Sequence, residues 1–129
     1  AGAGEADLAE VAKQVAQQYH CIVAISGETD FVSDGQRVAK VQNGTLLFPK
    51  ITGSGCLLGA VCAAFLSVAP VSAYFDTVVE ATTVYAVAGE LAARTLNRTQ
   101  TGTFAVKFLD QLAEINMTLA EQQGRVIYA

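Results

Sequence analysis

An α/β fold, with a sheet covered by helices, is predicted for this chain by three observations. Cys21-Ile22-Val23-Ala24-Ile25 is an unbroken apolar run of strand length. Asp34-Gly35 joins two short segments rich in β-branched residues, the pattern of a hairpin. Longer stretches before and after these segments repeat apolar residues at helical spacing.

Taken in order, residues 7–19 place Leu8, Val11, Ala12, Val15, Ala16 and Tyr19 on one helical face. Asp7 is the expected N-cap. The run at 21–25 reads as a strand buried on both faces, ending in a turn at Ser26-Gly27-Glu28. Phe31-Val32-Ser33 and residues 37–41 form the hairpin around Asp34-Gly35-Gln36. Asn43-Gly44 marks another turn, and residues 45–48 read as a short strand that Pro49 closes. Residues 56–68, rich in Ala and Leu, predict a mostly buried helix that Pro70 ends. Residues 73–97 carry Ala, Val and Tyr around much of the cylinder, which predicts a long helix buried between layers. Phe104, Val106, Phe108, Leu109, Leu112 and Ile115 fit a further helix, and Arg125-Val126-Ile127-Tyr128 a terminal strand.

At 129 residues the chain is one domain in length, with 52% hydrophobic and 16% charged residues. The net charge of −4 and the scattered placing of Lys13, Arg37, Lys40, Lys50, Arg94, Arg98, Lys107 and Arg125 argue against a nucleic-acid partner. No secretory signal or membrane span is expected, and Cys21, Cys56 and Cys62 fit reduced thiols of a cytoplasmic protein. With His20 as the sole histidine, a Cys/His zinc site has little support. The first residue is Ala1 rather than Met, which points to a processed or incomplete chain.

The chemistry concentrates in Ile51-Thr52-Gly53-Ser54-Gly55-Cys56-Leu57-Leu58-Gly59-Ala60-Val61. Gly53 and Gly55 permit unusual backbone angles and close approach of a ligand. A helix that begins here offers unpaired N–H groups and a positive dipole end, a site suited to phosphate. Cys56 sits where that positive end favours its thiolate. Taken alone, the turn has a plainer reading as a tight strand-to-helix connection. It is neither a P-loop nor a dinucleotide fingerprint. In α/β sheets, however, ligands collect beyond the carboxyl ends of strands, so Ser26-Gly27 and residues 52–56 are placed to meet one ligand.

Several spaced segments resemble the hydroxyethylthiazole kinases of the ribokinase-like superfamily. They are Ala24-Ile25-Ser26-Gly27-Glu28-Thr29-Asp30, Ser33-Asp34-Gly35, Asn43-Gly44, Thr52-Gly53-Ser54-Gly55-Cys56-Leu57-Leu58 and Gly102-Thr103-Phe104. The resemblance runs from about residue 5 to residue 116. It implies that residues 1–129 are the C-terminal half of a ribokinase-like kinase domain, a layered sheet flanked by helices, with the N-terminal half or a complementary chain as partner.

The activity it implies is ATP-dependent phosphorylation of the hydroxyl of 4-methyl-5-(2-hydroxyethyl)thiazole in thiamine salvage, with Mg²⁺ bridging phosphates. Such a transfer needs charge stabilisation and an oriented nucleophile. On this resemblance Ser26 and Gly27 contact ATP phosphate. Thr52, Ser54 and Gly55 complete the nucleotide site, and Gly53 lies against the thiazole. Cys56 stands where most of the superfamily has an aspartate base. An inert half-buried cysteine is the alternative for Cys56. Glu28 and Asp30 read as solvated turn residues. Cys21 and Cys62 read as core, His20 as structural or exposed, and Tyr74, Phe75 and Tyr85 as helix-packing aromatics. The family resemblance also implies a homotrimer, and the small-residue surface of the 73–97 helix suits subunit contact.

Two alternatives stay open. Hydroxymethylpyrimidine (phosphate) kinase also carries Gly-x-Gly-Cys, although its motif usually continues differently from residues 57–61. A non-catalytic nucleotide-binding half, or a structural subunit, is the other.

Overall fold

The computed structural model describes residues 4–129. Residues 1–3, and with them the start that suggested a processed or incomplete chain, lie outside the described part. The first helix, α1 (Glu5–Tyr19), leads into three strands, β1 (Val23–Ile25), β2 (Asp30–Ser33) and β3 (Val38–Val41). A 3-10 turn at Phe48–Lys50 precedes α2 (Ser54–Leu66), and another at Val71–Ala73 precedes α3 (Tyr74–Ala93). Then come α4 (Thr101–Glu114), α5 (Met117–Gln123) and β4 (Val126–Tyr128). The strands form one sheet in the order β1-β2-β3-β4, antiparallel at every pairing.

Strand alternation sets the layers, because successive side chains point to opposite faces. On one face Phe31 and Val38 pack with Ala12 of α1, joined by Leu8, Val23 and Ile25. On the other, Val32 and Ala39 pack with Phe75, Val78 and Val79 of α3. Helix α3 is buried along most of its length, from Phe75 to Ala92, as its unpatterned apolar surface predicts. Its outer side meets α2 and α4 in a third cluster built on Leu58, Tyr85, Phe104 and Phe108. The α/β class and the flanking of the sheet by helices are therefore observed. Among the described residues no helix is long and apolar enough to cross a membrane.

Local chemistry explains where expectations fail. Asp7 is not the N-cap of α1; Gly4 occupies that position, and Asp7 sits in the first turn, where its charge suits the dipole. Of the residues placed on one face of this helix, Val11 and Tyr19 are exposed, while Ala12 and Ala16 make the close contact. Strand β1 is not buried on both faces. Among the described residues it pairs only with β2, and its Ala24 is exposed on the side away from α1. Cys21, read as core, is exposed before β1 begins.

No strand forms at residues 45–48. The Thr45 carbonyl accepts from Phe48 N–H at 3.3 Å, and the Thr45 hydroxyl accepts from Leu47 N–H at 3.2 Å. Local bonds of this kind compete with a ladder, and Pro49 then opens the 3-10 turn. Helix α2 starts two residues earlier than expected and is buried at Leu58 only, with Cys56, Gly59, Ala60, Ala63 and Ala64 exposed. An all-apolar helix carries no periodicity to mark which side is covered. The expected surface of small residues on α3 is not free for a subunit contact, since that helix is enclosed by the sheet and its neighbours. Helix α5 was not anticipated; Asn116 caps it by accepting Leu119 N–H at 2.8 Å.

Candidate active site

The glycine-rich turn adopts the geometry its sequence predicts. Gly53 has φ of 83° and ψ of 9°, left-handed angles that only glycine takes without strain, and α2 starts at the next residue. A Cβ at Gly53 would meet nothing within 4 Å, so the requirement there is conformational rather than spatial. No side chain caps α2. Its first N–H groups are thus left for a ligand or water.

A cavity of about 310 Å³ opens beside this turn. Ser26, Gly27, Glu28 and Asp30 line it from the β1–β2 connection. Asn43, Gly44 and Phe48 line it from the following loop, and Ser54, Gly55, Leu58 and Tyr85 from α2 and α3. The structure therefore brings together Ser26, Gly27, Ser54 and Gly55, four of the residues selected from sequence. Thr52, Gly53 and Cys56 are exposed and adjoin this wall along the chain without lining the cavity. The Ser54 hydroxyl donates to the Phe48 carbonyl at 3.1 Å, so Ser54 faces the cavity with its own contact already made. A hollow of about 320 Å³ lies apart from the turn, among Asp76, Glu80, Met117 and Glu121, and shares none of these residues.

Three groups that sequence reading left as packing or turn residues organise the site. Asp30 is not a solvated turn residue. Its Oδ1 accepts the Gly27 N–H at 3.0 Å, and burial, partly offset by that bond, raises its carboxyl to about 6. Tyr85 donates its hydroxyl to the Ser54 carbonyl at 2.5 Å, and burial, followed by the charge of Asp30, pushes it up to about 12. Asn43 is fully enclosed at the root of the loop. Aspartate at the start of a strand, or a tyrosine within an alanine-rich helix, gives no local signal of such contacts. Burial pushes the Cys62 thiol up, in keeping with a packing role, and His20 is an exposed left-handed cap of α1.

The Asp30 carboxyl carries a pH prediction whose sign follows from linkage. Its folded value lies above the ordinary 3.8, so the folded state holds the extra proton between the two values. Its contribution to stability falls as pH rises from about 4 through about 6, and the buried carboxylate is a burden above that. Asp30→Asn should therefore gain stability relative to the parent at pH 7.5, by on the order of 2 kcal/mol, and converge with it near pH 4. Denaturant melts across that range read the difference; a gap independent of pH would refute the assignment.

Among the described residues, no group of three or more His, Cys, Asp or Glu side chains converges to hold a metal ion. These residues do not by themselves fit a magnesium site.

Comparison with known proteins bears on what this geometry serves. The sequence model of the Hydroxyethylthiazole kinase family matches residues 1–118. A hydroxyethylthiazole kinase of Histophilus somni is 56% identical over 128 residues, covering 99% of this chain and 48% of that protein. One of Pasteurella multocida is 57% identical, with the same coverage of 99% and 48%. The solved structure of a hydroxyethylthiazole kinase protein from Pyrococcus horikoshii superposes with a TM-score of 0.89 at 29% identity. That match covers 98% of this chain and 48% of the other. The chain thus spans about half the length of the curated relatives it matches.

Proposed function

We propose, from the premise that this chain belongs to the hydroxyethylthiazole kinase family, that its glycine-rich turn serves ATP-dependent phosphorylation of 4-methyl-5-(2-hydroxyethyl)thiazole in thiamine salvage. The observation that carries this reading is the meeting of Ser26-Gly27 and Ser54-Gly55 on one cavity at the N-terminus of α2. N–H groups at that helix end favour phosphate, and the Ser26 hydroxyl adds a donor from the end of β1. In the transfer, the alcohol oxygen bonds to the γ-phosphorus while the bond from that phosphorus to the β,γ-bridging oxygen breaks. The alcohol proton goes to Cys56 in its thiolate form, which becomes the thiol, and ADP departs. The backbone from Gly53 to Cys56 stabilises the charge on the transferring oxygens. Thr52 flanks the phosphates and Gly53 the thiazole. Mg²⁺ bound with the nucleotide would supply charge neutralisation on its phosphates, with no described residue assigned to hold it.

Residues 1–129 act in this reading as the C-terminal half of the kinase domain. The remaining half of the relatives' length, or a complementary chain, supplies the rest of the thiazole pocket. The open edge at Ala24 and the exposed apolar side of α2 support a partner of that kind. The reaction belongs to the cytoplasm, where free Cys21, Cys56 and Cys62 stay reduced. A homotrimer built on surfaces other than α3 belongs to the same reading.

Transfer of phosphate from radiolabelled ATP to the thiazole alcohol, set beside hydroxymethylpyrimidine and its phosphate, tests the reading. Preference for the thiazole alcohol is the expected result. Preference for a pyrimidine would move the assignment to the related kinase. ATP binding with no transfer to any alcohol would reduce the protein to a nucleotide-binding subunit.

A further inference from the structure

The Gly53-Ser54-Gly55 sequence is a poor start for a helix. Gly55 lies in the first turn, where the backbone freedom of glycine carries an entropic cost and helical hydrogen bonding is incomplete, and Gly53 ahead of it is left-handed. Yet the proposed phosphate site needs the N–H of Gly55 held in one direction. The structure supplies a restraint from the opposite side. Tyr85 Oη, from the middle of buried α3, donates to the carbonyl of Ser54, the first residue of α2. The Ser54 carbonyl and the Gly55 N–H belong to one planar trans peptide and point in opposite directions. Anchoring the oxygen therefore aims the hydrogen.

The anchor is itself rigid. The Tyr85 ring stacks on Phe48 with centroids 5.2 Å apart and meets the edge of Phe108 at 4.8 Å. Phe48 returns to the turn through its carbonyl, which accepts the Ser54 hydroxyl. The Ser54 peptide is thus held at its carbonyl by Tyr85 and at its side chain by the residue stacked on Tyr85. Tyr85 also keeps its proton well above neutral pH, so it remains a donor.

We propose that Tyr85 is a positioning residue for the phosphate site: its hydroxyl fixes the Ser54–Gly55 peptide so that the Gly55 N–H faces the bound phosphate. This rests on the kinase reading for its ligand, but the peptide restraint is a separate claim with a separate readout. Tyr85→Phe keeps the ring and its stacking and removes the donor alone. Phe48→Leu removes the stacking partner and keeps the donor.

Amide hydrogen exchange at Leu57, whose N–H closes the first turn of α2 on the Gly53 carbonyl at 2.9 Å, reads the restraint in the purified protein without any ligand. Tyr85→Phe should speed exchange there by about tenfold, with α3 protection unchanged, for the loss of one hydrogen bond. ATP affinity and turnover read the consequence. Tyr85→Phe should bind ATP with Mg²⁺ about fivefold to tenfold more weakly, with the KM for the alcohol unchanged, at a melting temperature close to the parent's. Phe48→Leu should lower the melting temperature more and the affinity less. Unchanged exchange at Leu57 in Tyr85→Phe overturns the proposal, whatever the nucleotide does. So does an affinity loss that appears only in step with thermal stability across both variants. Faster exchange in a protein whose parent binds no ATP would support the restraint and remove the kinase reading.

Discussion

Cys56→Ala should slow phosphoryl transfer by about 10²–10⁴-fold, the usual contribution of a positioned general base. The residue is exposed in the first turn of α2 and adjoins the wall formed by Ser54 and Gly55, which disfavours an inert, half-buried cysteine. Removing an exposed thiol leaves folding nearly unchanged, within about 0.5 kcal/mol, so the loss would be chemical. Cys56→Asp replaces one proton acceptor with another at the same helix end, where a carboxylate is also favoured by the dipole. Its rate should hold near the parent's or exceed it. Single-turnover rates at saturating ATP decide the matter. A Cys56→Ala enzyme that keeps more than about a third of the rate would show that the alcohol loses its proton elsewhere, since a positioned base contributes about a hundredfold or more.

The place of Cys56 in the first turn of α2 was legible because it is written in local sequence. A glycine pair before an apolar run signals both the turn and the helix, and Gly53 takes the left-handed angles the pattern demands. The hairpin was legible for the same reason: Asp34 accepts N–H groups of Gln36 and Arg37, at 2.9 and 2.7 Å, within its own turn. Helix α3 was legible because burial around most of its circumference leaves a nearly unpatterned apolar surface. The same inference misled at β1 and α2. Apolar residues there look alike whether a neighbour covers them or not, and Ala24, Ala60 and Ala64 are exposed among the described residues. Asp30 and Tyr85 were hidden for another reason. Their partners, Gly27 and Ser54, are backbone groups, and a backbone partner leaves no trace in residue type.

Asn43 combines both situations, and its removal should be the most damaging change to folding. Sequence reads Asn43-Gly44 as a simple turn, yet Asn43 is 1% exposed and joins its own loop to α3 and to the segment 123–125. Its amide donates to the Gln123 carbonyl at 2.9 Å and to Glu90 Oε2 at 3.2 Å, while its oxygen accepts the Arg125 N–H at 2.6 Å. Glu90 in turn accepts the Gly44 N–H at 3.0 Å and pairs with the Arg125 guanidinium. This one side chain fastens α3, the end of α5 and the approach to β4 to the loop that forms a wall of the cavity. Asn43→Ala leaves a backbone donor, a backbone carbonyl and a carboxylate oxygen short of a partner at once. At about 1–3 kcal/mol for each unsatisfied buried group, partly relieved by water, the expected loss is about 3 kcal/mol. Asn43→Asp retains the acceptor for Arg125 but turns a carboxylate toward Glu90, so it should be no milder above the pH where both ionise. Chemical denaturation of both variants at pH 7 measures this, and a loss below about 1 kcal/mol would mean that the loop is held without them. ATP affinity should fall with stability in both, because the displaced loop carries Gly44 and Phe48 away from the cavity and loosens the stacking behind Tyr85.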